Sequence, residues 1–106
     1  MWQPKLGGAE KHVEDATRLV PDDRARHYWD GPGSTLRSYR ATLAIAEDAW
    51  DIYLIYGPEA VWEGALPPKP AFWMHQLGSS SRPRVAAPYL DAQVFAEQTA
   101  TVLAGR

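Results

Sequence analysis

The chain contains no cysteine. That excludes a disulfide framework, dithiol redox chemistry, thiol nucleophiles and cysteine-ligated zinc. It also lacks a dominant charge: 11 Lys and Arg stand against 13 Asp and Glu, a formal net charge of -2, with no basic run. Broad electrostatic attraction to nucleic acid or to an anionic membrane therefore has little support. No apolar stretch approaches the about 20 residues a bilayer-spanning helix needs. The N-terminal MWQPKLGGAEKH has no apolar core of the kind a signal peptide carries. A Gly-rich phosphate loop, a nucleophile elbow and an HExxH pair are all absent as well. A soluble, cytoplasmic protein without a bound cofactor is expected.

What is present is a globular composition. Apolar residues make up 45% and charged residues 23% of 106 residues, which is ordinary for one folded domain and unlike a disordered chain. The distinctive stretch is 50–77, WDIYLIYGPEAVWEGALPPKPAFWMHQL, which holds three of the five Trp. Residues 50–56 form an apolar, β-branched and aromatic run suited to a strand covered on both faces. Gly57-Pro58 stops it. Residues 71–77 alternate Phe72, Met74 and Gln76 against Trp73, His75 and Leu77, which predicts a second strand. The intervening segment, with Trp62 and Pro67-Pro68-Lys69-Pro70, exceeds a tight hairpin, and connections of that length are often functional.

Three helices are expected around this pair. In the first, over 9–20, Val13, Ala16, Thr17 and Val20 share a stripe. Pro21 ends it, and Asp22 and Asp23 can cap a short helical turn leading to Tyr28-Trp29-Asp30. The second, over about 35–48, starts from Ser34 and turns Leu36, Tyr39, Leu43 and Ala46 inward. The third starts with Asp91 as N-cap, buries Val94, Phe95, Thr99, Val102 and Leu103, and stops near Gly105. Residues 78–88 read as polar and flexible. Two strands alone make a poor sheet, so residues 2–6 or another chain should add a third.

Three aromatic phrases resemble a known group when read together. These are RARHYWDG at 24–31, WDIYLIYGPEAVW at 50–62 and PAFWMHQL at 70–77. They look like the C-terminal part of an uncharacterised thioredoxin-like group, over roughly residues 2–104. The resemblance implies an α+β, thioredoxin-like partial fold in one domain spanning 1–106: an antiparallel strand pair packed against three helices. The redox half of such a fold, with its cysteines, has no counterpart here, so no redox activity carries over. Without the missing strands, 50–56 would present an unpaired apolar edge, which invites a second copy. A homodimer or higher oligomer is expected, with residues 2–6 rescuing a compact monomer as the alternative.

Candidate chemistry is sparse. His27 lies beside Trp29 and Asp30, while Asp51 and His75 fall on the two strands. A carboxylate beside an imidazole is the minimal pair for acid–base catalysis. The blander roles are that His27 and Asp30 cap a short helix and that His75 is a hydrogen-bonded structural histidine. Asp51, inside an apolar strand, needs a partner, and Arg24, Arg26, Arg37 or Arg40 can provide one. His12 with Glu14 or Asp15 offers too few ligands for a specific metal site. Trp29, Trp50, Trp62 and Trp73 are the binding candidates, because Trp joins a large apolar area to one hydrogen-bonding tip. Two functions follow: a non-catalytic interaction or ligand-binding module using the aromatic hairpin, or a small enzyme with a His/Asp pair in a Trp-lined pocket. A protein or a small molecule would be the partner.

Overall fold

In the computed structural model, the structure describes residues 18, 22–26 and 28–105. Their order is helix α1 (Ser34–Leu43), strand β1 (Ile52–Ile55), strand β2 (Phe72–His75) and helix α2 (Ala92–Ala104). The strands pair antiparallel, with Ile52 opposite His75, Tyr53 opposite Met74, Leu54 opposite Trp73 and Ile55 opposite Phe72. Both strands are shorter than their apolar runs: the regular register stops at Ile52 and His75, beyond which the Gln76 N–H still bonds the Asp51 carbonyl at 3.0 Å.

α1 starts at Gly33, whose left-handed backbone (φ 72°) brings no capping side chain. Asp30 supplies the cap from outside the helix: its two carboxylate oxygens accept the N–H groups of Ser34 at 3.1 Å and Thr35 at 2.9 Å. Two of the four unpaired donors of a helix start are thereby satisfied. The helix ends at Leu43, five residues before the expected end. Ala44 turns left-handed (φ 54°) and the Ile45 N–H closes on the Arg40 carbonyl at 3.0 Å. Left-handed backbone costs an alanine roughly 1 kcal/mol. The return of 45–49 over the helix offsets that cost. Ala49 is buried and its N–H bonds the Leu36 carbonyl at 3.2 Å, while Arg40 pairs with Asp48 at 2.6 Å. Ala46, expected to face inward, is exposed.

The core consists of Leu36, Tyr39, Ala49, Ile55, Met74 and Leu77, with Asp30 and His75 as its polar members. α2 begins as expected, with the Asp91 carboxylate accepting the Gln93 N–H at 3.0 Å and the Val94 N–H at 3.1 Å. It packs on β2, and Phe95 meets the Tyr53 ring edge-to-face at 6.4 Å. Its apolar face is only half-buried, however, and Leu103 is 52% exposed.

The expected thioredoxin-like packing of a strand pair against three helices is not what forms. The described residues contain two helices and one two-stranded sheet, so only the broad α+β class stands. The helix expected over 9–20, apart from Arg18, lies outside the described residues, as do residues 2–6. The physical reason is that returning loops do the covering. Beyond β2, the Pro88 carbonyl accepts the His75 N–H and the Leu90 N–H bonds the His75 carbonyl, so that Tyr89 bridges His75 in parallel. That segment takes the β2 edge a helix-covered sheet would have used otherwise.

Two smaller expectations also change. Residues 22–25 make a turn, with the Ala25 N–H on the Asp22 carbonyl at 2.9 Å, and no helix. The expected flexible stretch after Leu77 is instead a tight antiparallel hairpin. Ser79 and Arg82 exchange backbone bonds at 3.2 Å, Gly78 bridges Pro83, and the Arg84 N–H reaches the Leu77 carbonyl at 2.9 Å. Gly78 is required there: at φ 88° an added Cβ would stand 2.5 Å from the Arg82 carbonyl oxygen. Arg84 then spans to Glu47 at 3.2 Å and lies 5.9 Å from the Trp50 ring centroid, tying the hairpin to the return loop.

Candidate functional site

A shallow, largely open concavity lies where the 57–70 loop folds back on α1. It has a volume of about 280 Å³ and is lined by Tyr39, Tyr56, Gly57, Ala60, Trp62 and Pro68. Each wall has a structural cause. Tyr39 sits on the inner face of α1, and Tyr56 directly follows β1. Pro67 and Pro68 lie in the loop outside the strand ladder, and hydroxyls claim their carbonyls. Thr42 Oγ1 donates to the Pro67 carbonyl at 2.8 Å, and Tyr56 Oη donates to the Pro68 carbonyl at 2.6 Å.

The second bond fixes a direction. Tyr56 has one hydroxyl proton, and it goes to Pro68. The 2.9 Å contact between Tyr39 Oη and Tyr56 Oη is therefore donated by Tyr39. The relay runs from Tyr39 through Tyr56 to the Pro68 carbonyl. Burial first, and the Tyr39 hydroxyl second, push the Tyr56 phenol well above its ordinary pKa, so it remains a donor. Trp62 stands edge-to-face with Tyr39, with ring centroids 6.4 Å apart and planes at 78°. Its indole Nε1–H donates to the Gly64 carbonyl at 2.8 Å. Trp62 is 49% exposed, and Val61 and Leu66 on the same loop are exposed too.

Among the described residues, no hydrogen bond joins His75 to Asp30 or Asp51. His27 lies outside the described residues. Asp30 is buried, and both its oxygens hold the start of α1. His75 is fully buried, and both its ring nitrogens are used. Nδ1 accepts the Leu77 N–H at 2.9 Å, so Nε2 carries the proton it shares with the Ala87 carbonyl at 2.9 Å. Its ring also contacts Trp73 at 6.0 Å and Tyr89 at 5.5 Å. Such a histidine is a clasp between β2 and the 87–90 segment.

Asp51 is half-buried, and its backbone carbonyl accepts the Gln76 N–H at 3.0 Å. Among the described residues it has no ion pair. Two of its expected partners are engaged elsewhere, Arg24 with Asp22 at 2.7 Å and Arg40 with Asp48. The nearby Tyr53 hydroxyl donates to Gln76 Oε1 at 2.7 Å, and its pKa is raised chiefly by burial, with the Asp51 carboxylate adding to it.

Of the four tryptophans singled out for binding, only Trp62 lines the pocket. Trp29 is half-buried beside Gly31, Trp50 carries the Arg84 guanidinium, and Trp73 leans on His75. Tyr39, Tyr56 and Pro68 were missed as site residues. The available signal was that a tyrosine on an inward face must find a partner for its hydroxyl. Among the described residues no cluster of His, Asp or Glu is arranged to hold a metal ion, and no helix is long and apolar enough to cross a membrane.

Compared with known protein families, with curated proteins and with solved structures, the chain matches none.

Proposed function

We propose that this chain is a non-catalytic binding module whose contact site is the pocket between α1 and the 57–70 loop. The observation that carries the reading is the contrast between the two residue sets. Asp30 and His75 spend their polar atoms inside the fold, whereas Trp62 leaves half its surface in water beside an open concavity walled by two tyrosines. Partly exposed aromatic rings around a concave site are the usual composition of recognition surfaces. The walls are also held in place before any ligand arrives, because the tyrosine relay and Thr42 anchor both prolines, so a ligand loses little affinity to ordering them.

An NMR screen of the ¹⁵N-labelled chain against a panel of small neutral and charged organic fragments tests the reading. Shifts should concentrate on the Trp62 indole N–H, Gly57 and Ala60, and Trp62→Ala should abolish them without unfolding the chain. Shifts scattered over the surface, or centred on His75, would overturn it.

A second copy is the macromolecular partner this reading favours. Val61, Trp62 and Leu66 are exposed on one loop, and among the described residues nothing pairs with the outer edge of β1. Sedimentation velocity at micromolar concentration should detect a dimer that Trp62→Ala weakens. A single species of monomer mass refutes self-association. A cytoplasmic setting belongs to the same proposal.

A further inference from the structure

The pocket between α1 and the 57–70 loop has an unusual inventory of polar atoms. Three of its lining side chains carry a hydrogen-bond donor, and all three donors are consumed internally. Tyr39 donates to Tyr56, Tyr56 donates to Pro68, and Trp62 donates to Gly64. A carboxylate, phosphate or carbonyl ligand would therefore find no side-chain donor on these walls. What the walls offer instead is aromatic rings, whose faces are electron-rich, and the spare lone pairs of Tyr39 Oη. The Glu59 carboxylate packs against Gly57, occupying the space a Cβ there would need. Glu63 follows Trp62 on the same loop. Glu59, Glu63 and Lys69, the charged residues of that loop, are all exposed and none of them lines the pocket, so the loop carries a net charge of -1 around it.

From this inventory we propose, resting on the binding-module reading above, that the pocket is an aromatic cage for a trimethylammonium group. A quaternary ammonium has no N–H to satisfy, so it loses nothing where donors and acceptors are scarce, and ring quadrupoles attract it. A primary ammonium or a guanidinium would instead bring several N–H donors to a site with too few acceptors. The geometry agrees. The Tyr39 and Trp62 planes meet at 78° with centroids 6.4 Å apart. A cation over the half-exposed Trp62 ring would stand against a wall set nearly perpendicular to it, within the ~6 Å reach of the interaction. The volume of about 280 Å³ suits a compact head group more than a drug-sized ligand. Glu59, whose carboxylate lies against the lining residue Gly57, adds negative charge next to the pocket.

The test is titration of the full-length ¹⁵N-labelled chain with choline chloride, with 3,3-dimethyl-1-butanol (its neutral isostere) and with a short peptide bearing trimethyllysine, against a sodium chloride control. The reporters are the Trp62 indole N–H and, in the Trp62 variants, the Gly57 and Ala60 amides that line the same pocket. Choline or the peptide should saturate the Trp62 shift at millimolar concentration or below, and the neutral isostere should bind about fivefold to tenfold more weakly, the range expected for a partly exposed cation–π site. The tighter of the two cations identifies the source of the group. Trp62→Ala should abolish the response, Trp62→Phe should retain part of it, and Glu59→Gln should weaken the cations while leaving the isostere unchanged. Equal binding of choline and its isostere overturns the cage and leaves the binding module standing. No Trp62 shift with either cation at about 50 mM overturns the cage, and the fragment screen then judges the module separately.

Discussion

Replacing His75 with alanine should be among the most damaging single changes the fold can suffer. The side chain is fully buried and holds two groups at once. Its removal leaves the N–H of Leu77, itself fully buried, without its 2.9 Å acceptor, and the Ala87 carbonyl without its donor. An orphaned buried N–H costs about 1–3 kcal/mol, and the void left by a ring truncated to a methyl adds about 2 kcal/mol. A loss of about 3–5 kcal/mol is expected, a large part of the ~5–15 kcal/mol that holds a typical domain together. Urea unfolding followed by tryptophan fluorescence measures it directly. With a slope near ~2 kcal/mol per molar, the midpoint should fall by about 2 M with the slope unchanged. Two further variants separate the halves of the clasp. His75→Asn places an oxygen where Nδ1 accepts from Leu77, and His75→Gln places an N–H where Nε2 donates to Ala87. Both should be less damaging than alanine, and hydrogen exchange at the Leu77 amide should be slow in the Asn variant and fast in the Gln variant. If His75→Ala unfolds within about 1 kcal/mol of the parent chain, the clasp is wrong.

Other consequences can be measured with the same methods. Asp30→Ala should cost about 1–2 kcal/mol by uncapping α1 and should expose the Ser34 and Thr35 amides to exchange, whereas Asp30→Asn should retain most of the cap. Tyr56→Phe interrupts the relay to Pro68 and should cost about 1–2 kcal/mol while speeding proteolysis within 57–70. Tyr39→Phe leaves the Tyr56–Pro68 bond intact and should cost less. The phenols of Tyr53 and Tyr56 titrate higher in the folded chain than the ~10 of an unfolded one. Their contribution to stability is therefore complete below about pH 10 and is lost as pH rises toward the folded values, because the unfolded chain releases its protons first. The alkaline limb of a stability–pH curve should flatten in Tyr56→Phe, and a limb of unchanged slope would contradict this. Gly78→Ala should lower the melting temperature by several degrees, since its φ of 88° and the Arg82 carbonyl both oppose a Cβ.

How far these features could be read from residues depended on whether their cause was local. Asp91 capping α2 is local chemistry, a short polar side chain just before an apolar periodicity, and it lies where the pattern predicts. The two strands follow from β-branched and aromatic runs. The end of α1 was not legible, because Ala44 has excellent helix propensity and turns left-handed only for the sake of distant partners, Asp48 on Arg40 and Ala49 on Leu36. The pocket was half legible. Trp62 in a Pro-rich loop advertised itself, whereas Tyr39 and Tyr56 met only through a fold-back whose anchor, the Pro68 carbonyl, has no signature in a side-chain alphabet. Whether a histidine is structural or poised for chemistry was not legible for a related reason. Ring nitrogens bonded to backbone groups, as at His75, look the same in a one-letter sequence as ring nitrogens poised for chemistry.

The double anchoring of Pro67 and Pro68 also makes the 57–70 loop a point of engineering access. Its exit is stapled to α1 and to the end of β1 by two hydroxyls, and its entry is the end of β1 itself, so residues 59–66 run between fixed posts. Lengthening a loop with fixed ends costs only about 0.6 kcal/mol per doubling. Foreign recognition sequences grafted between Glu59 and Leu66 should be displayed without disturbing the strand register, with the tyrosine relay serving as the hinge pin that keeps the scaffold closed beneath them.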